Sequence, residues 1–134
     1  MLDTNIVSYL LRGRHAVLES RLRQIEPGAV CISVITRAEL RYGVARVPEA
    51  PRLAREVDRF LQGIVVLSWS DGAADAYGQI RAWLEQRGMG IGALDTMIAA
   101  HALASDITLV TNDESVFRRV PGLRVENWML PPSG

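Results

Sequence analysis

A helix with no polar face has to be enclosed on all sides, and the stretch Ile91-Gly92-Ala93-Leu94-Asp95-Thr96-Met97-Ile98-Ala99-Ala100-His101-Ala102-Leu103-Ala104 predicts such a helix. It leaves a flexible loop, Gly88-Met89-Gly90-Ile91-Gly92, and carries one carboxylate, Asp95, in its first turn. Any fold built on it must therefore place protein around that helix. Asp95 then arrives at the edge of a core on a rigid element, where an ionised carboxylate needs a partner.

The rest of the chain offers material for the surrounding layers. Met1-Leu2 leads into Asp3-Thr4-Asn5, with Asp3 expected as the N-cap of a short amphipathic helix over Ile6–Leu11 that Gly13 ends. A second helix is expected from His15 to Ile25, closed by Pro27-Gly28. Ala29–Val34 is a β-branched apolar run of strand length. Thr36-Arg37-Ala38-Glu39 has the form of a capping box opening a helix that stops before Pro48, and Pro51–Gln62 repeats apolar residues at helical spacing. Ile64–Leu67 reads as a strand, and Asp71 as the cap of a long helix to about Arg87. Ile107–Thr111 and Leu123–Asn127 read as the last strands, with a short helix at Val116-Phe117 between them and a disordered tail at 131–134. Strands alternating with helices imply a mainly parallel sheet covered on both faces. No repeat or linker divides the chain, so one domain over 1–134 is expected.

Composition narrows the chemistry. All fifteen basic residues are arginine, balanced by fifteen acids. With no lysine, a P-loop, a Schiff base and a protein-kinase strand lysine are all excluded. The single Cys31 rules out a disulfide framework and a multi-cysteine zinc site, and fits a reducing, cytoplasmic setting. No apolar run reaches the roughly 20 residues of a membrane span, so no membrane partner is expected.

Four acids share one situation: Asp3, Glu39, Asp95 and Asp113 all fall at or just inside expected helix N-termini, three of them soon after a strand. In a parallel sheet the C-terminal strand ends line one edge, where ligands bind. Each acid taken singly is most simply a cap that satisfies free amides, Glu39 above all, because its capping box is complete. Against that reading, Thr4-Asn5 and Thr111-Asn112 add polar groups at otherwise apolar strand ends, and Asp95 follows a three-glycine loop. Carboxylates gathered at one rim repel unless a cation compensates them. With no lysine and only two histidines, the natural cation is a hard divalent ion, Mg²⁺ or Mn²⁺, held by oxygens. The residues alone thus point to metal-dependent phosphoryl chemistry.

The motifs resemble those of PIN-domain ribonucleases, and specifically the VapC toxins of type II toxin–antitoxin pairs. Leu2-Asp3-Thr4-Asn5 is similar to the opening motif of that family and Ile32-Ser33-Val34-Ile35-Thr36-x-x-Glu39-Leu40-x-Tyr42-Gly43 to its second. Ile91-Gly92-x-x-Asp95-x-x-Ile98-Ala99-Ala100-His101-Ala102 is similar to the third, and Leu109-Val110-Thr111-Asn112-Asp113 to the fourth. The ending Phe117–Trp128 fits as well, so the likeness runs in order over nearly the whole chain.

The resemblance implies a three-layer α/β/α sandwich with a central, mainly parallel sheet of four to five strands, and Mg²⁺-dependent cleavage of structured RNA, often transfer RNA. It implies Asp3 and Asp95 as the principal metal ligands, with Glu39 and Asp113 completing the acidic pocket. Asn5 and Thr111 would position the acids or the scissile phosphate. A homodimer and a VapB-type antitoxin, its C-terminal segment laid across the pocket, are the implied partners. Two departures stand out. The first strand is clipped, and the segment after Asp113 reads Glu114-Ser115-Val116-Phe117, where many relatives carry another Asp before the Phe.

Other residues have plainer expectations. His101 lies about 120° round the helix from Asp95 and is expected as a buried structural residue. His15 is expected at a helix start and Cys31 in strand core. Arg81, Arg87, Arg118 and Arg119 are candidates for phosphate contact, and Tyr9, Leu10, Leu53 and Phe60 for either core packing or partner contact. A PIN scaffold that binds RNA or protein without cutting is the alternative function.

Overall fold

The computed structural model describes residues 1–132. Its helices are α1 (Thr4–Arg12), α2 (Ala16–Arg23), α3 (Val34–Ala45), α4 (Pro51–Gln62), α5 (Asp71–Gln86), α6 (Ala93–Ala104) and α7 (Glu114–Phe117). Its strands are β1 (Cys31–Ser33), β2 (Val65–Leu67), β3 (Leu109–Val110) and β4 (Val125–Glu126). β1 pairs in parallel with β2, and β3 in parallel with β4. Leu2 joins the two pairs by bridging Ile32 on one side and Val110 on the other, both in parallel. The order across the sheet is therefore β2, β1, the N-terminal segment, β3, β4.

Residues 1–3 are enough to join the two strand pairs. Leu2 donates to the Cys31 carbonyl at 2.9 Å, Asp3 to Val110 at 3.0 Å, and Val110 back to Met1 at 2.7 Å. The Met1 ammonium donates to the Thr108 carbonyl at 2.8 Å.

Side-chain alternation along the central strands then splits the core in two. Met1, Cys31 and Leu109 point to one face, where Ile80 and Leu84 of α5, Ile98, Ala99 and Ala102 of α6, and Phe117 of α7 pack. Leu2, Ile32 and Val110 point to the other, against Ile6 and Val7 of α1, Leu18 of α2, and Val57 and Leu61 of α4. Burying one such side chain contributes about 1.5–3 kcal/mol, so each face is held by several independent anchors. The result is the α/β/α sandwich expected from the strand–helix alternation.

α6 behaves as its composition demands: Ile98, Ala99, Ala100 and Ala102 are inaccessible to solvent. Tyr9, Leu10, Leu53 and Phe60 are half-buried and pack against the second core. Among the described residues no helix is long and apolar enough to cross a membrane.

Several local expectations are corrected. The 29–34 run pairs only over Cys31–Ser33, because Pro27–Ala29 forms a 3₁₀ turn and Val34 already begins α3. Ser33, in extended backbone, caps α3 by accepting from the Ile35 amide, so Thr36 and Glu39 lie inside the helix and form no capping box. Ser70 likewise caps α5 through the Ala73 amide, leaving Asp71 as its first residue rather than its cap. Ser133 and Gly134 of the expected tail lie outside the described residues; Pro131 and Pro132 are exposed coil.

Candidate metal-binding active site

Asp3 and Thr111 end neighbouring parallel strands, so the sheet itself places them side by side. Asp3 is 3% exposed and caps α1, its Oδ1 accepting from the Ile6 amide at 2.9 Å. Thr111 is fully buried beside Asp3, whose charged form it favours, and its Oγ1 accepts from the Asp113 amide at 2.9 Å. Thr111 thus stands between two of the expected site acids.

Glu39 reaches the same edge from the second turn of α3. Thr4, the residue after Asp3, donates to Glu39 Oε1 at 2.6 Å and shares a hydrogen bond with the buried Thr36 at 3.1 Å. Asp95 comes from the first turn of α6, half-buried, with Gly92 rather than Asp95 at the cap position. Asp113 occupies the cap position of α7 but makes no side-chain cap bond. Of the four acids, only Asp3 therefore does the work of a helix cap. The other three carboxylates are placed by the fold without that explanation.

Their electrostatics show them to be neighbours. Burial is the main force raising the Asp3 carboxyl to about 6, opposed by the Thr111 side chain and the Ile6 amide, and reinforced by the charges of Asp95 and Asp113. Asp95 is also raised, by burial first and then by Glu39 and Asp113. Asp113 thus acts on both Asp3 and Asp95, Asp95 on Asp3, and Glu39 on Asp95. No three His, Cys, Asp or Glu side chains of the described residues close around a point as a ready cage. An open set of carboxylates of this kind suits Mg²⁺, which is held by one or two carboxylates, its waters and substrate phosphates rather than by a protein cage. Asn112 Oδ1, next in the chain to Asp113, is buried with no hydrogen-bond partner, one more oxygen acceptor left unfilled there.

Asn5 is exposed on α1, and it is the preceding Thr4 that hydrogen-bonds Glu39. The hydroxyl directly after Asp3 was the available signal. His101 is buried and neutral, its ionisation lowered by burial. Its Nδ1 lies 2.7 Å from Ser33 Oγ, and Trp69 packs edge-on at 5.4 Å. This hydrogen bond between His101 Nδ1 and Ser33 Oγ ties α6 to the start of α3.

The four expected phosphate-contact arginines are occupied locally. Arg81 bridges Glu85 and Tyr77, Arg118 pairs with Glu114, Arg87 lies 3.9 Å from the Trp83 ring centre, and Arg119 reaches the Gly90 carbonyl at 3.4 Å.

A parallel α/β/α sandwich with this order of strands and helices defines a protein of the PIN type. The PIN-domain family model matches residues 1–123. The chain belongs to the PIN-domain family and, within it, to the VapC ribonucleases. It is 40% identical over 129 residues to ribonuclease VapC2 of Haemophilus influenzae, covering 96% of this chain and 97% of that one. It is 38% identical over 128 residues to the tRNA(fMet)-specific endonuclease VapC of Shigella flexneri, at 96% of both chains. Its fold superposes with a TM-score of 0.89 on a chain of the crystal structure of VapBC2 from Rickettsia felis bound to a promoter DNA fragment, at 36% identity over 96% of this chain and 97% of that one.

Proposed function

We propose that this chain is a Mg²⁺-dependent endoribonuclease, the toxin of a type II toxin–antitoxin pair, hydrolysing phosphodiester bonds in structured RNA with transfer RNA as the leading candidate. The observation that carries this reading is that Asp3, Glu39, Asp95 and Asp113 come from four separated segments and three of them have no capping role, while Asp3 and Asp95 are both raised by burial and then by neighbouring acids. The names of the relatives support RNA as the substrate, and the VapBC complexes among the structural relatives support a VapB-type antitoxin as partner. A cytoplasmic, homodimeric protein working as a single domain completes the proposal.

Asp3 and Asp95 are the residues that hold the metal, with Mn²⁺ an acceptable substitute. Such an ion supplies charge neutralisation at the phosphate and a lowered pKa for the attacking water. Glu39, with Oε1 engaged by Thr4, keeps its second oxygen for orienting water, and Thr111 stands between Asp3 and the Asp113 backbone. Water adds at phosphorus and one P–O ester bond breaks, leaving a phosphate on one fragment and a hydroxyl on the other.

The test is cleavage of unfractionated bacterial transfer RNA with Mg²⁺ and with EDTA. Discrete fragments that appear only with the metal are expected. A non-cutting RNA- or protein-binding module predicts intact RNA with every divalent cation, and that result would overturn the proposal.

The raised Asp3 carboxyl adds a pH dependence. Below about pH 6 its proton competes with the cation. Mg²⁺ affinity followed by calorimetry should fall as pH is lowered from 6 to 5, by up to about tenfold, and level off above pH 7. A flat profile across that window would remove Asp3 from the ligand set.

A further inference from the structure

A groove of about 940 Å³ runs from the acidic pocket between α1, α3 and α4. Thr4 and Glu39, which are hydrogen-bonded to each other, stand at its catalytic end. Arg12, Arg14 and Arg46 line it, and among the described residues none of them forms a salt bridge. Arg52, also on the groove, is paired with Glu56 and so contributes no free charge. Tyr42 lies on the same wall, one turn after Glu39 on α3, and is 66% exposed. The Arg46 guanidinium stands 6.0 Å from the centre of its ring.

We propose that this groove is the track for the RNA strand flanking the cleaved bond, with Arg14 and Arg46 on its phosphates and a base stacked on Tyr42. This rests on the nuclease reading. Three features favour a single-stranded nucleic acid as the occupant. Unpaired guanidiniums suit phosphates spaced along a backbone, since they neutralise charge without first breaking an internal ion pair. An exposed aromatic face beside a cation is a stacking platform that accepts any base. Glu39, one of the acids assigned to the site, lines the groove beside Thr4, so a strand in it passes next to that acid. The arginines on α5 and after α7, occupied by their own neighbours, offer no such run.

The experiment compares the full chain with R14A/R46A, Tyr42→Ala and Tyr42→Phe, using unfractionated bacterial transfer RNA. Cleavage with Mg²⁺ gives KM and kcat; binding in EDTA over a range of salt gives the charge contribution. R14A/R46A is expected to raise KM by at least about tenfold with kcat within about twofold, and to flatten the slope of log affinity against log salt by about 1.5 to 2. Tyr42→Ala should weaken binding by about 5- to 150-fold, and Tyr42→Phe should restore it, because the ring and not the hydroxyl does the stacking. Unchanged KM and salt slope in R14A/R46A would overturn the proposal. So would variants that keep their RNA affinity but lose a co-expressed protein partner, which would assign the groove to protein. If the parent cuts no RNA, the nuclease reading fails separately, and the salt-dependent binding of the parent against R14A/R46A still decides the groove.

Discussion

Asp95→Asn is expected to lower the rate of RNA cleavage by at least about a thousandfold while leaving the fold intact. Asp95 is half-buried in the first turn of α6, Gly92 holds the cap position, and no side-chain hydrogen bond ties Asp95 to the rest of the described residues. The fold therefore loses little when its charge is removed. Burial first, and then the charges of Glu39 and Asp113, disfavour its ionisation. Such a placement is useful only when a cation turns the repulsion into joint ligation. Losing a ligand that stabilises charge at the phosphate costs several kcal/mol in the transition state, and each 1.4 kcal/mol is about tenfold in rate. Single-turnover cleavage of transfer RNA, beside a circular dichroism melt, makes the measurement. A soluble, folded variant with activity within tenfold of the parent would sink the assignment.

Asp3→Asn should also abolish cleavage, yet make the metal-free protein more stable. Asparagine keeps an oxygen for the Ile6 amide, so the cap on α1 survives. What disappears is an ionised carboxylate that is 3% exposed and whose pKa is raised from 3.8 to about 6. The folded state binds that proton more tightly than the unfolded chain does. The cost of ionisation is therefore absent below pH 3.8, develops as pH rises toward 6 and stands in full above it. About two units correspond to at most about 3 kcal/mol, and this is the gain expected for the variant near pH 7.5 in EDTA. Denaturant melts at pH 7.5 and pH 4.5 should show the difference shrinking at the lower pH. Adding Mg²⁺ should stabilise the parent and leave the variant unmoved, because only the parent binds it in the folded state. A variant less stable than the parent at pH 7.5 would show that Asp3 is held for structure rather than function.

Local reasoning misjudged which residues cap α3 and α5. Thr36-x-x-Glu39 satisfies the capping-box pattern, but that pattern assumes the helix starts at threonine. Ser33 starts it three residues earlier, because an extended serine at the end of β1 can turn its hydroxyl onto the Ile35 amide. Glu39 is thereby released from capping and meets Thr4, 35 residues away in sequence. The same shift decides between Ser70 and Asp71 at α5. Cap identity depends on which residue is the last extended one, and strand pairing sets that, not the spacing of side chains.

Other features needed no structure. The interior position of α6 follows from residues that have no polar face to present to water. The two-sided sheet follows from short apolar runs alternating with helical ones, and the exclusion of lysine chemistry from the absence of lysine. Asp3, Glu39, Asp95 and Asp113 stood out because each is a charge beside an apolar run. The tertiary structure decided which of them are caps, because only it shows where each helix begins. It also brought Thr4 to Glu39, since that hydrogen bond joins two elements that meet only after the sheet has formed. Periodicity and composition act over a few neighbouring residues and are written along the chain. The coupling among the acids, and the free arginines of the groove beside them, arise from pairing Leu2 between β1 and β3, a long-range event that no local pattern encodes.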